Sequence, residues 1–275
     1  MRFFETQKIE DCITCIKSVK TGEFMYLFEG TEKAILLDTG LGFGNIKEYV
    51  QGLTRLPYDV ILSHGHHDHI GGSFLYESAY INPKDIPVFK EYGDMKMRSR
   101  SLKYMADEHN LSKNDFVPTR EIELLPINHG DLFELGGLTI EVIEAPGHTP
   151  GTLCFLLREK RILFSGDACN NCSYLFMRES LPIQEYQKTV RMLLDRGEEY
   201  DRVLLSHWRS EVPKSIIQDV YDCCTDIMEG NADDEPYGFM DIEAYVAKKR
   251  DHKGERVDGK IGNVIYRKDN IFSRG

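Results

Sequence analysis

The sequence predicts an α/β fold, and three observations carry that expectation. Short apolar runs bounded by turn residues read as strands. Two segments, 180–196 and 213–229, place apolar residues at helical spacing. The chain has 275 residues, 41% of them hydrophobic and 29% charged, which suffices to bury a sizeable core. No low-complexity linker interrupts it, so one domain over residues 1–275 is expected.

Taken in order, residues 12–37 contain three extended runs, CITCIKSV, FMYLF and AILLD, separated by Thr21-Gly22 and Gly30-Thr31. This pattern predicts an antiparallel meander. Residues 45–53 put Ile46, Tyr49, Val50 and Leu53 on one helical face, closed by Pro57. An apolar strand at Val60, Ile61 and Leu62 follows, then a short strand at 79–81 and a short helix at 83–92. Residues 93–118 are polar with scattered methionines and leucines, and read as a helical insertion able to cover a pocket. A second strand series covers 121–125, 132–135, 138–144, 152–157 and 161–164. The helix at 180–196, a strand at 202–206, the helix at 213–229 and a terminal strand within 261–266 complete the order.

The net charge is −11, from 45 acidic and 34 basic residues, which disfavours a phosphate backbone as principal partner. No window approaches a membrane span and the N-terminal residues lack a secretory core, so a cytoplasmic protein is expected. The seven cysteines follow no disulfide rhythm. The pairs Cys12/Cys15 and Cys169/Cys172 are too far apart in sequence for a zinc ribbon and read as reduced structural thiols.

The chemistry concentrates in 59–72, DVILSHGHHDHIGG. A single histidine is commonly a satisfied core or surface residue, but His64, His66, His67, Asp68 and His69 together offer converging nitrogen and carboxylate donors for a divalent transition metal. Gly71 and Gly72 would let the backbone pass close to what is bound. Four apolar runs, AILL, VIL, RILF and RVLL, are each followed by a polar group, namely Asp38, His64, Asp167 and His207. Strand ends emerging together would deliver these groups to one edge. His148 sits at the tip of a rigid APGHTPG loop.

These motifs, HxHxDH, GHTPG, SGD and SHW in that order after Asp38-Thr39-Gly40, resemble the metallo-β-lactamase superfamily of metal-dependent hydrolases. The resemblance implies a four-layer αβ/βα sandwich of two mixed β-sheets flanked by helices. It also implies two divalent ions, zinc first, with manganese and iron as alternatives. His64, His66 and His148 would hold one ion and Asp68, His69 and His207 the other, with Asp167 shared. His67 would not ligate, and Asp38 would orient a ligating imidazole. A water between two such ions ionises near neutral pH, and Asp68 is the candidate to move its proton.

Asp167 and the absence of a secretory core point away from the exported β-lactamases and toward hydroxyacylglutathione hydrolases and acyl-homoserine lactonases, although the basic tail of the former is not evident in 231–275. The expected reaction is hydrolysis of a small ester, thioester or lactone. A phosphodiesterase acting on a small nucleotide or phospholipid-like substrate is the alternative, and a redox-sensing metalloprotein using the CxxC thiols a third. Asn170, Asn171, Ser173 and Tyr174 follow Asp167 and, with Trp208, are candidates to line a substrate pocket, where a Tyr hydroxyl would stabilise an oxyanion.

Overall fold

A computed structural model describes residues 2–99, 115–239 and 242–273. The chain divides into two compact units, Met1–Val142 and Ile143–Gly275. Of the expected insertion at 93–118, residues 100–114 lie outside the described residues.

The first unit is built on a seven-stranded mixed sheet in sequential order: β1 (Phe4–Glu10), β2 (Ile13–Ser18), β3 (Phe24–Glu29), β4 (Ala34–Leu37), β5 (Tyr58–Ile61), β6 (Ser78–Ile81) and β7 (Glu123–Pro126). The first four are antiparallel, as the turn residues predict. From β4 onward the pairing is parallel, which requires crossovers rather than hairpins. Helix α1 (Ile46–Leu53) makes the crossover between β4 and β5, capped by the Asn45 side chain accepting from the Glu48 amide at 3.0 Å. A single turn, α2 (His67–Ile70), and α3 (Ile86–Tyr92) follow β5 and β6. Strand β1 was not legible in the sequence because FETQKIE is a polar strand at the sheet edge, with one buried residue. The unit ends in a hairpin of β8 (Leu132–Glu134) with β9 (Thr139–Glu144).

In the second unit β10 (Leu153–Leu157), β11 (Ile162–Phe164), β13 (Arg202–Leu204) and β14 (Glu211–Pro213) pair in the order β14-β13-β11-β10. Pairing of β11 with β13 is parallel. The helices α4 (Ile183–Asp195) and α5 (Ser215–Glu229) pack on each other. Ile183, Tyr186, Val190 and Leu193 of α4 and Ile216, Ile217, Val220 and Ile227 of α5 share one core with Leu163 and Val203 of the sheet. Fully burying one such side chain contributes about 1.5–3 kcal/mol.

Four further strands form a separate sheet, ordered β12 (Ser173–Leu175), β17 (Val264–Tyr266), β16 (Ile242–Val246) and β15 (Glu235–Phe239). Of these only β17 was expected. EPYGF carries Pro and Gly inside a strand, a composition confined to sheet edges, and β15 is an edge.

Candidate metal centre

The parallel pairing of β4 with β5 sets Leu37 beside Ile61, so the chain leaves both strands at the same end. Asp38 turns at once into the left-handed region, with φ of 61°. There its carboxylate accepts from the Ser63 amide at 2.7 Å and the Ser63 hydroxyl at 2.8 Å, and from His69 Nδ1 at 2.9 Å. Thr39 holds the His69 carbonyl through its amide at 2.8 Å and its hydroxyl at 2.7 Å. The Gly65 amide donates to the buried Asp85 carboxylate at 2.7 Å. His66 precedes α2 in extended backbone. The result is a converging set: the His64 ring lies 4.8 Å from that of His66 and 4.1 Å from that of His69. His67 is turned elsewhere and stacks on Tyr92 at 5.8 Å.

Gly71 and Gly72 serve a different purpose from the one expected. Their φ values, −61° and −85°, suit any residue. What they supply is room, since a Cβ at Gly71 would sit 2.0 Å from the Leu41 carbonyl oxygen and one at Gly72 2.5 Å from that of Thr39. The histidine loop is thereby pressed against the Asp38–Gly42 backbone. Arg98, fully buried, reinforces the contact by donating to the carbonyls of Gly71 at 3.1 Å and Leu41 at 3.4 Å. Arg98, Asp85 and Glu23 were not singled out by the sequence, because nothing local marks a charged residue as buried.

The second unit repeats the device with β11 and β13, whose parallel pairing sets Phe164 beside Leu204 and brings Asp167 and His207 out at one end. His148 is fixed by donation from its imidazole Nδ1 to the Tyr174 carbonyl at 2.8 Å, and its own carbonyl accepts from Ser180 at 2.9 Å. Asp167 has its Oδ1 tied to the Asn170 amide at 3.2 Å. Its Oδ2 lies 3.6 Å from His148 Nε2 and 3.4 Å from His207 Nε2.

Two kinds of His–carboxylate contact are therefore present. A charge-assisted hydrogen bond spans about 2.7–2.9 Å, which is the Asp38–His69 contact. Two donors on a tetrahedral ion with bonds of about 2.1 Å are separated by about 3.4 Å. The Asp167 contacts have that second spacing, as does Asp68 Oδ2 with His69 Nε2 at 3.5 Å. The donor set of imidazole nitrogens and carboxylate oxygens, without thiolate, suits a borderline divalent ion. Among the described residues, the side chains able to hold a metal ion are His64, His66, Asp68 and His69 in the first unit and His148, Asp167 and His207 in the second.

The remaining pocket candidates divide. Asn170 is occupied by Asp167 and by the Cys172 amide, which donates to its Oδ1 at 2.7 Å, and Ser173 is fully buried, accepting from the Asn170 amide at 3.1 Å. Asn171 is half-buried. The Tyr174 hydroxyl pairs with that of Tyr237 at 3.0 Å. Trp208, at φ 65°, is 68% exposed. Cys169 and Cys172 are buried, and burial pushes the Cys169 thiol up to about 12, so it stays protonated.

A sequence model of the metallo-β-lactamase superfamily matches residues 20–207. The chain belongs to the metallo-β-lactamase superfamily. It is 26% identical over 204 residues to the acyl-coenzyme A thioesterase MBLAC2 of Bos taurus, covering 68% of this chain and 73% of that protein. It is 26% identical over 145 residues to the hydroxyacylglutathione hydrolase GloC of Haemophilus influenzae, covering 51% of this chain and 63% of that one. It is 29% identical over 151 residues to the atrochrysone carboxyl ACP thioesterase nsrC of Aspergillus novofumigatus, covering 53% and 38%. Among solved structures, a metallo-β-lactamase from Pontibacter korlensis superposes with a TM-score of 0.60 at 18% identity, covering 81% of this chain and 99% of that one. The mixed sheets and helices are those of the metallo-β-lactamase fold, and the chain is a hydrolase of that fold. No described helix is long and apolar enough to cross a membrane.

Proposed function

We propose that the two units act as one catalytic domain over residues 1–275, a dinuclear hydrolase that cleaves a small acyl thioester. His64, His66 and His148 are assigned to one ion, Asp68, His69 and His207 to the other, and Asp167 to both, with zinc as the first choice of metal. The observation that carries this reading is the Asp167 carboxylate: one oxygen is anchored on Asn170, and the other faces both His148 and His207 at tetrahedral-edge distance.

Bound divalent ions would supply Lewis acidity and a water that ionises near neutral pH. The chain's own residues do the rest. Asp38 keeps the His69 proton on Nδ1 and so leaves Nε2 as a donor to metal, and the Tyr174 carbonyl does the same for His148. Asp68, whose side chain is 31% exposed, is assigned to take a proton and return it to the leaving thiolate. Thioester is preferred over lactone because two relatives are named thioesterases and a third a hydroxyacylglutathione hydrolase. The cysteines are free, which suits a reducing, cytoplasmic setting.

The test is metal analysis of the purified chain together with turnover of acyl-CoA thioesters, p-nitrophenyl acetate, a lactone panel and bis-p-nitrophenyl phosphate. Two equivalents of metal and preferred thioester cleavage are expected, with Asp167→Asn losing metal and at least about a thousandfold in kcat. Turnover confined to the phosphodiester, or a reconstituted chain that holds no metal, would overturn the assignment.

A further inference from the structure

The histidine loop is held from two sides by two buried charges, and each side carries a different pair of metal-capable groups. On one side is the stretch from His64 to His66. Its middle residue, Gly65, donates its amide to the Asp85 carboxylate at 2.7 Å, and Asp85 is fully buried. A Cβ at Gly65 would lie 2.6 Å from the Phe89 amide nitrogen, so this stretch is seated directly on α3. The His66 ring meets Tyr92 of the same helix at 4.6 Å.

On the other side is α2, which carries Asp68 and His69. A single helical turn has almost no stability of its own, because nucleating a helix is unfavourable, so its position is set from outside. The Gly71 amide donates to the Gly40 carbonyl at 2.8 Å. Arg98 then joins the two stretches of chain through Nη2, which donates to the carbonyls of Gly71 at 3.1 Å and Leu41 at 3.4 Å. Its other contacts are neutral as well. Nη1 donates to the Thr119 hydroxyl at 2.9 Å, and the rings of Phe116 and Phe74 lie 4.1 and 5.0 Å from Cζ.

Among the described residues, no carboxylate pairs with Arg98. A buried cation held by dipoles and rings alone is costly to desolvate, and an apolar side chain of that size would support the fold at lower cost. What an apolar side chain could not do is fasten the Gly71 carbonyl to that of Leu41. Asp38 differs from Arg98 and Asp85 in serving both sides of the loop. It accepts from His69 Nδ1 and from the Ser63 hydroxyl, which lies 3.0 Å from His64 Nδ1.

We infer that Arg98 and Asp85 are positioning residues that set the two ions separately: Arg98 places Asp68 and His69 for one, and Asp85 places His64 and His66 for the other. This rests on the dinuclear reading and adds to it which buried charge governs which ion.

The experiment measures zinc affinity by chelator competition in paired variants. His66→Ala disables one set of ligands and leaves that of Asp68 and His69, whereas His207→Ala leaves that of His64 and His66. On the His66→Ala background, Arg98→Met is expected to weaken the remaining ion about 10- to 100-fold. On the His207→Ala background it should change affinity less than about twofold, because the ligands left there do not depend on Gly71. Asp85→Asn is expected to show the reverse pattern. Equal losses on the two backgrounds would overturn the proposal, because a residue that only supports the fold weakens both ions alike. Should Arg98→Met fail to fold, Arg98→Lys keeps the charge, loses the planar fork and should show the same asymmetry. Amide hydrogen exchange of the metal-free chain separates this proposal from the dinuclear reading. Arg98→Met is expected to speed exchange over residues 67–71 and leave 64–66 as in wild type, with Asp85→Asn doing the opposite. If wild type holds fewer than two ions and this split is seen, the dinuclear assignment fails and the division of the loop stands. If either variant loosens all of 64–71 together, the division is removed whatever the metal content.

Discussion

His69 Nδ1 lies 2.9 Å from the Asp38 carboxylate, and Asp38, in a left-handed backbone, also takes both Ser63 donors. The imidazole is thereby oriented from behind, with its second nitrogen turned toward Asp68 at 3.5 Å. Asp38→Asn would present an amide to Nδ1 and upset the tautomer. Metal affinity is expected to drop about 10- to 100-fold, measured by competition with a chromophoric chelator. Unchanged affinity would mean that the contact only stabilises the fold.

Gly71 predicts a steric result. An alanine Cβ would meet the Leu41 carbonyl at 2.0 Å, a backbone atom unable to swing aside. Gly71→Ala is expected to cost more than about 3 kcal/mol, whereas Gly52→Ala, whose Cβ meets nothing within 4 Å inside helix α1, should be neutral or slightly stabilising. Urea denaturation of the metal-free chains distinguishes the two.

Glu23 predicts a pH dependence. It is buried, its carboxylate accepts from the Leu41 amide at 2.9 Å, and burial raises its pKa above the ordinary 4.5. A raised folded-state pKa means that the native state holds its proton longer than the unfolded chain. The associated stability is complete below about pH 4.5 and is lost as pH rises through the folded-state value. Glu23→Gln keeps an acceptor for Leu41 and cannot ionise. Its Tm should exceed that of wild type by about 2–4 °C at pH 8, with the advantage absent at pH 4. An equal gain at both pH values would contradict this account.

Cys169 tests the thiol chemistry. With its pKa pushed up to about 12 by burial and Tyr186 Oη 3.6 Å from its sulfur, about one molecule in ten thousand carries the thiolate at pH 8. Native protein should resist iodoacetamide at Cys169 for hours, while half-buried Cys12 is modified first. Peptide mapping reads the order. Rapid alkylation of Cys169 would revive a redox role.

Much of this was readable in one dimension because parallel strands make it so. AILL before Asp38 and VIL before His64 lie side by side as β4 and β5, and RILF before Asp167 and RVLL before His207 as β11 and β13. A residue within three positions of the end of a buried strand has few places to go, and the pattern of apolar runs followed by polar groups records that. Strands β1 and β15 escaped because edge strands tolerate polar residues, Pro and Gly, and so lose the apolar signature.

By itself, then, the sequence determined the α/β class, the superfamily motifs and the identity of the metal-capable side chains, since local runs and short spacings encode these. Only the tertiary structure decided which carboxylate hydrogen-bonds an imidazole and which stands at metal-ligand spacing from one, for Asp38, Asp68 and Asp167 look alike as letters. It alone buried Arg98, Glu23 and Asp85, and it alone brought Tyr174 against Tyr237. The reason is physical: a separation of a few tenths of an ångström is set by packing between residues far apart in the chain.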